Sequence, residues 1–296
     1  MTWVLATLIA AAAQTARNAT QNGLTRAIGT VGATQVRFLF GLPFAVLFLS
    51  LTTLATGDPV PTIPLRSLGF TALGAVAQIG ATALMLAVMK SQSFAITTAW
   101  IKTEPILVAL IATAILGDPL TWPALAAIVL ATSGVVLMSL KPGTGARLWQ
   151  ETTPAAMGLV AGALFGLAAI GFRGAILALP TGGFLVRSST ILVLGLALQC
   201  AILLIWMALF DRAAIRASIA VWPRSLGAGF LGAFASQFWF IGFALTSAAN
   251  VRTLALVELV FASAVSRLWF QQTLSGRQVL GMAIILAGVG LLLQTA

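Results

Sequence analysis

The chain has 296 residues, with sixteen Lys/Arg against six Asp/Glu for a formal charge of +10; 60% of its residues are hydrophobic and only 7% are charged. Globular proteins average about 25% charged residues, so this composition cannot build a water-facing shell, and the natural solvent is a lipid bilayer. There is no His, no Tyr and a single Cys, Cys200, which excludes imidazole acid–base catalysis, Ser-His triads, haem ligation, His/Cys zinc sites and an internal disulfide.

A spanning helix needs roughly 20 mostly apolar residues. Ten segments qualify, near residues 3–22, 34–56, 68–89, 93–116, 121–140, 154–177, 184–209, 225–246, 250–271 and 275–294. The expected fold is an all-α membrane protein of ten transmembrane helices. The first segment opens with a signal-like apolar run, but no Lys or Arg precedes it, so it reads as a retained helix. Within it, Gln14, Arg17, Asn18 and Gln21 fall at i, i+3, i+4 and i+7, one helical face. Lipid disfavours such a stripe; it lines a polar cavity or packs against another helix.

Arg37 heads the second segment, and Gln78 lies in the third. The fourth carries Trp100, Lys102, Glu104 and Pro105. Glu104 sits near its middle, where a charge costs at least about 2.5–3.5 kcal/mol. Pro105 leaves the carbonyl of Ile101 without its helical partner. Lys102, two residues from Glu104, projects to the other side of that helix and is a poor direct partner for it. The sixth segment repeats Gly158, Gly162 and Gly166, a close-packing pattern, and ends at Arg173; Arg187 begins the seventh. Gln237, Phe238 and Trp239 lie in the eighth, and Glu258 near the middle of the ninth. The two acids read either as members of fixed ion pairs or as participants in substrate binding or proton coupling. The arginines read either as gates at two mouths or as helix ends snorkelling to headgroups.

Loops after odd-numbered segments hold Arg26, Lys90, Lys141, Arg147, Arg212, Arg216, Arg224 and Arg277, whereas those after even-numbered ones hold Arg66. The positive-inside rule then places the odd loops in the cytoplasm and both termini outside. The cationic excess is assigned to topology and anionic headgroups, not to nucleic acid.

A shift of 154 residues aligns Glu104 with Glu258, Leu120 with Leu274, Gly134 with Gly288, Val135 with Val289 and Leu137 with Leu291. Arg17 matches Arg173, and Arg37 matches Arg187, at nearby shifts. Each half has an odd number of spans, so the second enters the membrane from the opposite side. The reading is two inverted-topology five-helix repeats, residues 1–140 and 154–296, joined by a linker at 141–153; such repeats characterise secondary transporters.

Val36-Arg37-Phe38-Leu39, Glu104-Pro105-Ile106, Leu116 through Thr121, Ala131 through Val135, Gly242 through Leu245, Glu258 through Gln272 and Leu286 through Val289 resemble, in their places along nearly the whole chain, the drug/metabolite transporter superfamily and specifically its ten-helix EamA-repeat proteins. The resemblance implies alternating access and transport of small metabolites across a bacterial-type inner (plasma) membrane. Many such relatives keep both termini in the cytoplasm, opposite to the charge count. Gln14-Thr15-Ala16-Arg17-Asn18 stands where relatives often have Trp-Gly-Ser-Asn, and no proline follows Glu258.

The expected protein is not an enzyme. It is a secondary transporter of small polar metabolites such as amino acids or related carboxylate-bearing compounds, because deep cations outnumber deep acids; the resemblance, not the residues, implies export. Its substrate-binding or coupling residues are Glu104, Glu258, Arg17, Asn18, Gln14, Gln21, Gln78, Trp100, Gln237 and Trp239; its gates are Arg37, Arg173 and Arg187. No cofactor or metal is expected. The partners are a small-molecule substrate, the bilayer and protons as a candidate coupling ion, with the chain a monomer or dimer. The alternatives are a vitamin or nutrient importer of the same fold and, from another class, a membrane-embedded lipid translocase or enzyme.

Overall fold

A computed structural model describes residues 1–89, 100–139, 152–220, 222–270 and 275–295; within these, the side chains of 18–34, 36–37, 86–89, 154, 214, 218–219, 224, 265–266 and 268–270 lie outside the description. The described residues form helices and connecting turns, and no strand occurs among them. That is the expected outcome in a bilayer, where backbone polar groups must be satisfied within each segment. The helices are α1 (Thr2–Thr56), α2 (Leu65–Met89), α3 (Glu104–Leu116), α4 (Trp122–Ser139), α5 (Thr152–Leu177), α6 (Phe184–Phe210), α7 (Arg212–Ala220), α8 (Trp222–Leu245), α9 (Ala248–Leu254), α10 (Glu258–Phe270) and α11 (Gly276–Thr295), with a 3-10 turn, Ala255–Val257, between α9 and α10. Gly57 and Gly117 close α1 and α3 at φ 74° and 71°, a left-handed geometry that glycine adopts without a Cβ penalty.

Seven helical stretches among the described residues are long and apolar enough to cross a membrane: Phe38–Thr56, Leu65–Met85, Trp122–Ser139, Ala155–Leu177, Phe184–Phe210, Ser225–Leu245 and Gly276–Thr295, with Glu104–Leu116 a shorter apolar helix. Ten were expected from the sequence. Of the remaining three, segment 93–116 is described only from Trp100 onward, 250–271 is divided by the 3-10 turn, and 3–22 is continuous with 34–56. In this last case the backbone is helical through the stretch around Arg26 where a loop was expected: no proline occurs before Pro43, and a glycine in a helix interior costs only about 1 kcal/mol.

The 55-residue helix α1 is nonetheless not straight. A Cβ on Gly229 would lie 2.6 Å from Phe40; further along, Phe44 meets Phe230, and Phe48 meets Phe234 at 6.3 Å. This part of α1 therefore runs in the same direction as α8. A straight helix would leave Gln14 about 39 Å behind Phe40. Instead Gln14 accepts a hydrogen bond from Trp239, ten residues or about 15 Å ahead of Gly229. The chain doubles back between Gln14 and Phe40, a stretch containing Gly23, Gly29 and Gly32, a residue type at which helices bend.

Two compact units are present, Met1–Val76 with Gly171–Thr246 and Ala77–Ile170 with Ser247–Ala296. Each draws on both sequence halves, and the boundary falls inside α2 and α5. In the first unit, Ser67 donates to the carbonyl of Ala175 at 2.8 Å, and Gly171 sits 2.7 Å, by its missing Cβ, from Gly74. A loop-to-loop bond joins the Gly183 amide to the Asp58 carboxylate at 2.8 Å. Phe172 and Phe240, 4.8 Å apart, and the run Phe230, Phe234 and Phe238 supply its aromatic packing.

In the second unit, α4 and α11 make backbone contact through glycines. A Cβ on Gly134 would lie 2.7 Å from the Gly281 carbonyl, and one on Gly288 would lie 2.5 Å from the Ala131 amide. Gly134 and Gly288 are related by the 154-residue shift, so the repeat preserves this close approach. Gly162 and Gly166 pack against Ile101 and Val108, making that stripe an intramolecular seam. Cys200 is buried within α6.

Candidate functional site

Polar chemistry occurs at a separate place in each unit. In the second unit the α-helical pattern is interrupted twice. Trp100 and Ile101 are helical, Lys102 and Thr103 form a turn, and α3 starts at Glu104 with Pro105 in its first turn. Proline suits that position, because an amide there has no helical acceptor anyway. Pro105 therefore lies in the first turn of a fresh helix rather than inside a continuous one. In the second sequence half, α9 tightens into the 3-10 turn Ala255–Val257, and α10 starts at Glu258. Both acids thus open helices that follow interruptions, where the sequence suggested mid-helix positions. The positive end of each helix dipole favours their carboxylates.

Their counter-ions cross between the halves. Lys102 Nζ lies 3.0 Å from Glu258 Oε1 and donates a hydrogen bond to it, and Arg252 Nε lies 2.6 Å from Glu104 Oε1. Lys102 pairs with the acid of the other repeat, not with the acid two residues away. Arg252 occupies the last turn of α9, the end that favours a cation. The four side chains are 16–24% exposed. Partial exposure to hydrocarbon would be costly for charges; exposure to water or a polar solute is not. The quartet holds two charges of each sign, so a polar ligand can exchange with a pair while the surrounding charge stays balanced. Gln78 and Trp100 belong to this unit as well. Gln78 is half-buried in α2 with its carbonyl accepting from Thr82, and the Trp100 carbonyl accepts from the amide and hydroxyl of Thr103.

The first unit places Gln14, Arg17, Gln237 and Trp239 on α1 and α8. Trp239 Nε1 donates to Gln14 Oε1 at 3.3 Å. Arg17, one turn on from Gln14, is only 6% exposed, and Gln237 only 5%. Both polar atoms of the Gln237 amide are buried with no hydrogen-bond partner. The same is true of Gln35 in α1, fully buried at 0% exposure, a residue that sequence reasoning missed because a single glutamine at the head of an apolar run has no periodic companion. Asn18, Gln21 and Arg37 have side chains outside the described residues.

Arg173 and Arg187, expected as gates, bind main chain. Arg173 Nη1 donates to the carbonyls of Phe243, at 2.7 Å, and Thr246, capping the last turn of α8. Arg187 Nη2 donates to the carbonyl of Leu179 just beyond α5. Arginine at a helix C-terminus satisfies orphan carbonyls and complements the dipole. Among the described residues no group of three or more His, Cys, Asp or Glu is placed to hold a metal ion.

A crystal structure of another protein is 15% identical with a TM-score of 0.69, covering 99% of this chain and 98% of its own; it shares the fold. No curated protein matches the chain. The family model of the EamA-like transporter family matches residues 1–140 and again 153–294, the two stretches that contribute one acid each to the crossed ion pairs. The chain belongs to the EamA-like transporter family of the drug/metabolite transporter superfamily.

Proposed function

We propose that this multi-pass membrane protein is a secondary transporter that exports small polar metabolites, amino acids or related carboxylate-bearing compounds, across the inner membrane by alternating access. In this reading residues 1–140 and 154–296 form two five-helix repeats of opposite topology, and protons couple to transport through Glu104 and Glu258. One observation carries it: each half contains an interrupted helix whose restart is an acid, and each acid pairs with a cation from the other half. Interrupted helices with ionisable groups at their breaks are how membrane transporters present polar chemistry at depth. Lys102 and Arg252 suit a substrate carboxylate that replaces an acid as counter-ion. Within the first unit, Gln14, Arg17, Gln237 and Trp239 offer polar groups for hydrogen bonding to solutes of this class.

The test is counterflow in liposomes containing the purified protein. Vesicles preloaded with unlabelled amino acids should take up labelled ones, faster with a pH gradient, and Glu104→Gln should slow uptake by about tenfold or more, the equivalent of about 1.4 kcal/mol. No counterflow for any carboxylate-bearing compound, or equal rates in wild type and Glu104→Gln, would overturn the proposal. Movement of a labelled phospholipid instead would assign the chain to lipid translocation.

A further inference from the structure

We infer that the first unit reads a flat donor–acceptor edge on the solute, a lactam, imide or primary carboxamide, through the side chain of Gln237. The inference rests on the transport reading and narrows its substrate class. Gln237 is 5% exposed, and neither Nε2 nor Oε1 has a hydrogen-bond partner. Buried polar groups are nearly always paired, and a buried amide with both its donor and acceptor open requires an explanation. A carboxamide offers an N–H beside a C=O, so its natural complement is a group with the same two atoms in reverse order.

The surroundings favour a planar partner. Phe234 and Phe240 lie three residues before and after Gln237 and share its helical face, giving that face two aromatic rings with an amide between them. Phe240 stays anchored by Phe172 at 4.8 Å, and Phe234 by Phe238 at 4.9 Å. Two residues on, Trp239 holds Gln14 at 3.3 Å, fixing the indole. Hydrogen-bond recognition of this type discriminates strongly, because an analogue lacking the donor leaves the buried amide unpaired.

The experiment uses the full-length protein in detergent and three probes: uracil, nicotinamide and 1,3-dimethyluracil, the last keeping the ring and carbonyls of uracil with a methyl group in place of each N–H. Uracil or nicotinamide at millimolar concentration should raise the melting temperature by about 2 °C or more, as a ligand well above its Kd does, and 1,3-dimethyluracil should not. In Gln237→Leu the shift should vanish, and in Gln237→Asn it should be weakened. Equal shifts from uracil and 1,3-dimethyluracil in wild type would overturn the inference without any variant. No shift from uracil or nicotinamide, or an unchanged shift in Gln237→Leu, would also overturn it. Amino-acid counterflow that survives Gln237→Leu, with none of the probes binding, would remove this site and leave transport standing. A shift that needs Gln237, in a protein without counterflow, would leave the site standing and remove transport.

Discussion

Arg252 holds Glu104 across the two halves of the sequence, Nε to Oε1 at 2.6 Å, 148 positions apart in the chain. Removing one partner of such a pair leaves a charge without its counter-ion in an apolar bundle. Glu104→Gln should therefore lower stability by up to about 3 kcal/mol, and adding Arg252→Gln should restore most of it. Thermal melting of both variants in one detergent checks this, and a double variant less stable than the single one would contradict it.

The α4–α11 contact predicts a contrast between two glycines two residues apart. Gly288 has the Ala131 amide 2.5 Å from where a Cβ would sit, whereas Gly290 has nothing within 4 Å. Gly288→Ala should cost about 1–3 kcal/mol by overpacking. Gly290→Ala should be neutral or stabilising by up to about 1 kcal/mol, since alanine is the better helix former. Melting curves of the two proteins decide it.

Arg173 as a cap on α8 behaves differently from Arg173 as a gate. Arg173→Leu should destabilise the protein by about 1–3 kcal/mol, the cost of orphaned carbonyls. Arg173→Lys should recover part of that loss together with most of the counterflow rate. A leucine variant of unchanged stability that no longer transports would make the residue a gate.

The reversal of α1 is directly measurable. Leu5 and Leu51 are both exposed, and Cys200, the one native cysteine, can be replaced by Ser. Spin labels at the two leucine positions should report a distance below about 30 Å, against about 69 Å for an unbent helix. A long distance would show that the helix runs straight.

The helical membrane class was legible from composition, because so few charges leave no alternative to lipid. The landmark acids were legible for the same reason: rare residues repeating at a fixed shift stand out from apolar background. Their counter-ions were not. Lys102 lies two residues before Glu104 and Arg252 six before Glu258, so nothing local indicates that each cation serves the opposite acid. The break before Glu104 was visible only as a proline placed mid-helix, and the one before Glu258 carries no proline at all. Arg173 and Arg187 were legible as charges at helix ends, but the main-chain carbonyls that they reach were not. Gln14 and Trp239 were each singled out, yet the bond between them depends on which helices pack together, and composition and spacing do not state that.

Lys102 and Glu104 sum to zero, as do Arg252 and Glu258, yet each takes its opposite from the other half. A gene cut within 141–153 would encode two fragments, each holding an acid and a cation of the quartet that do not pair with one another. Made together, such fragments should complement one another through the crossed pairs, and two copies of either one should not.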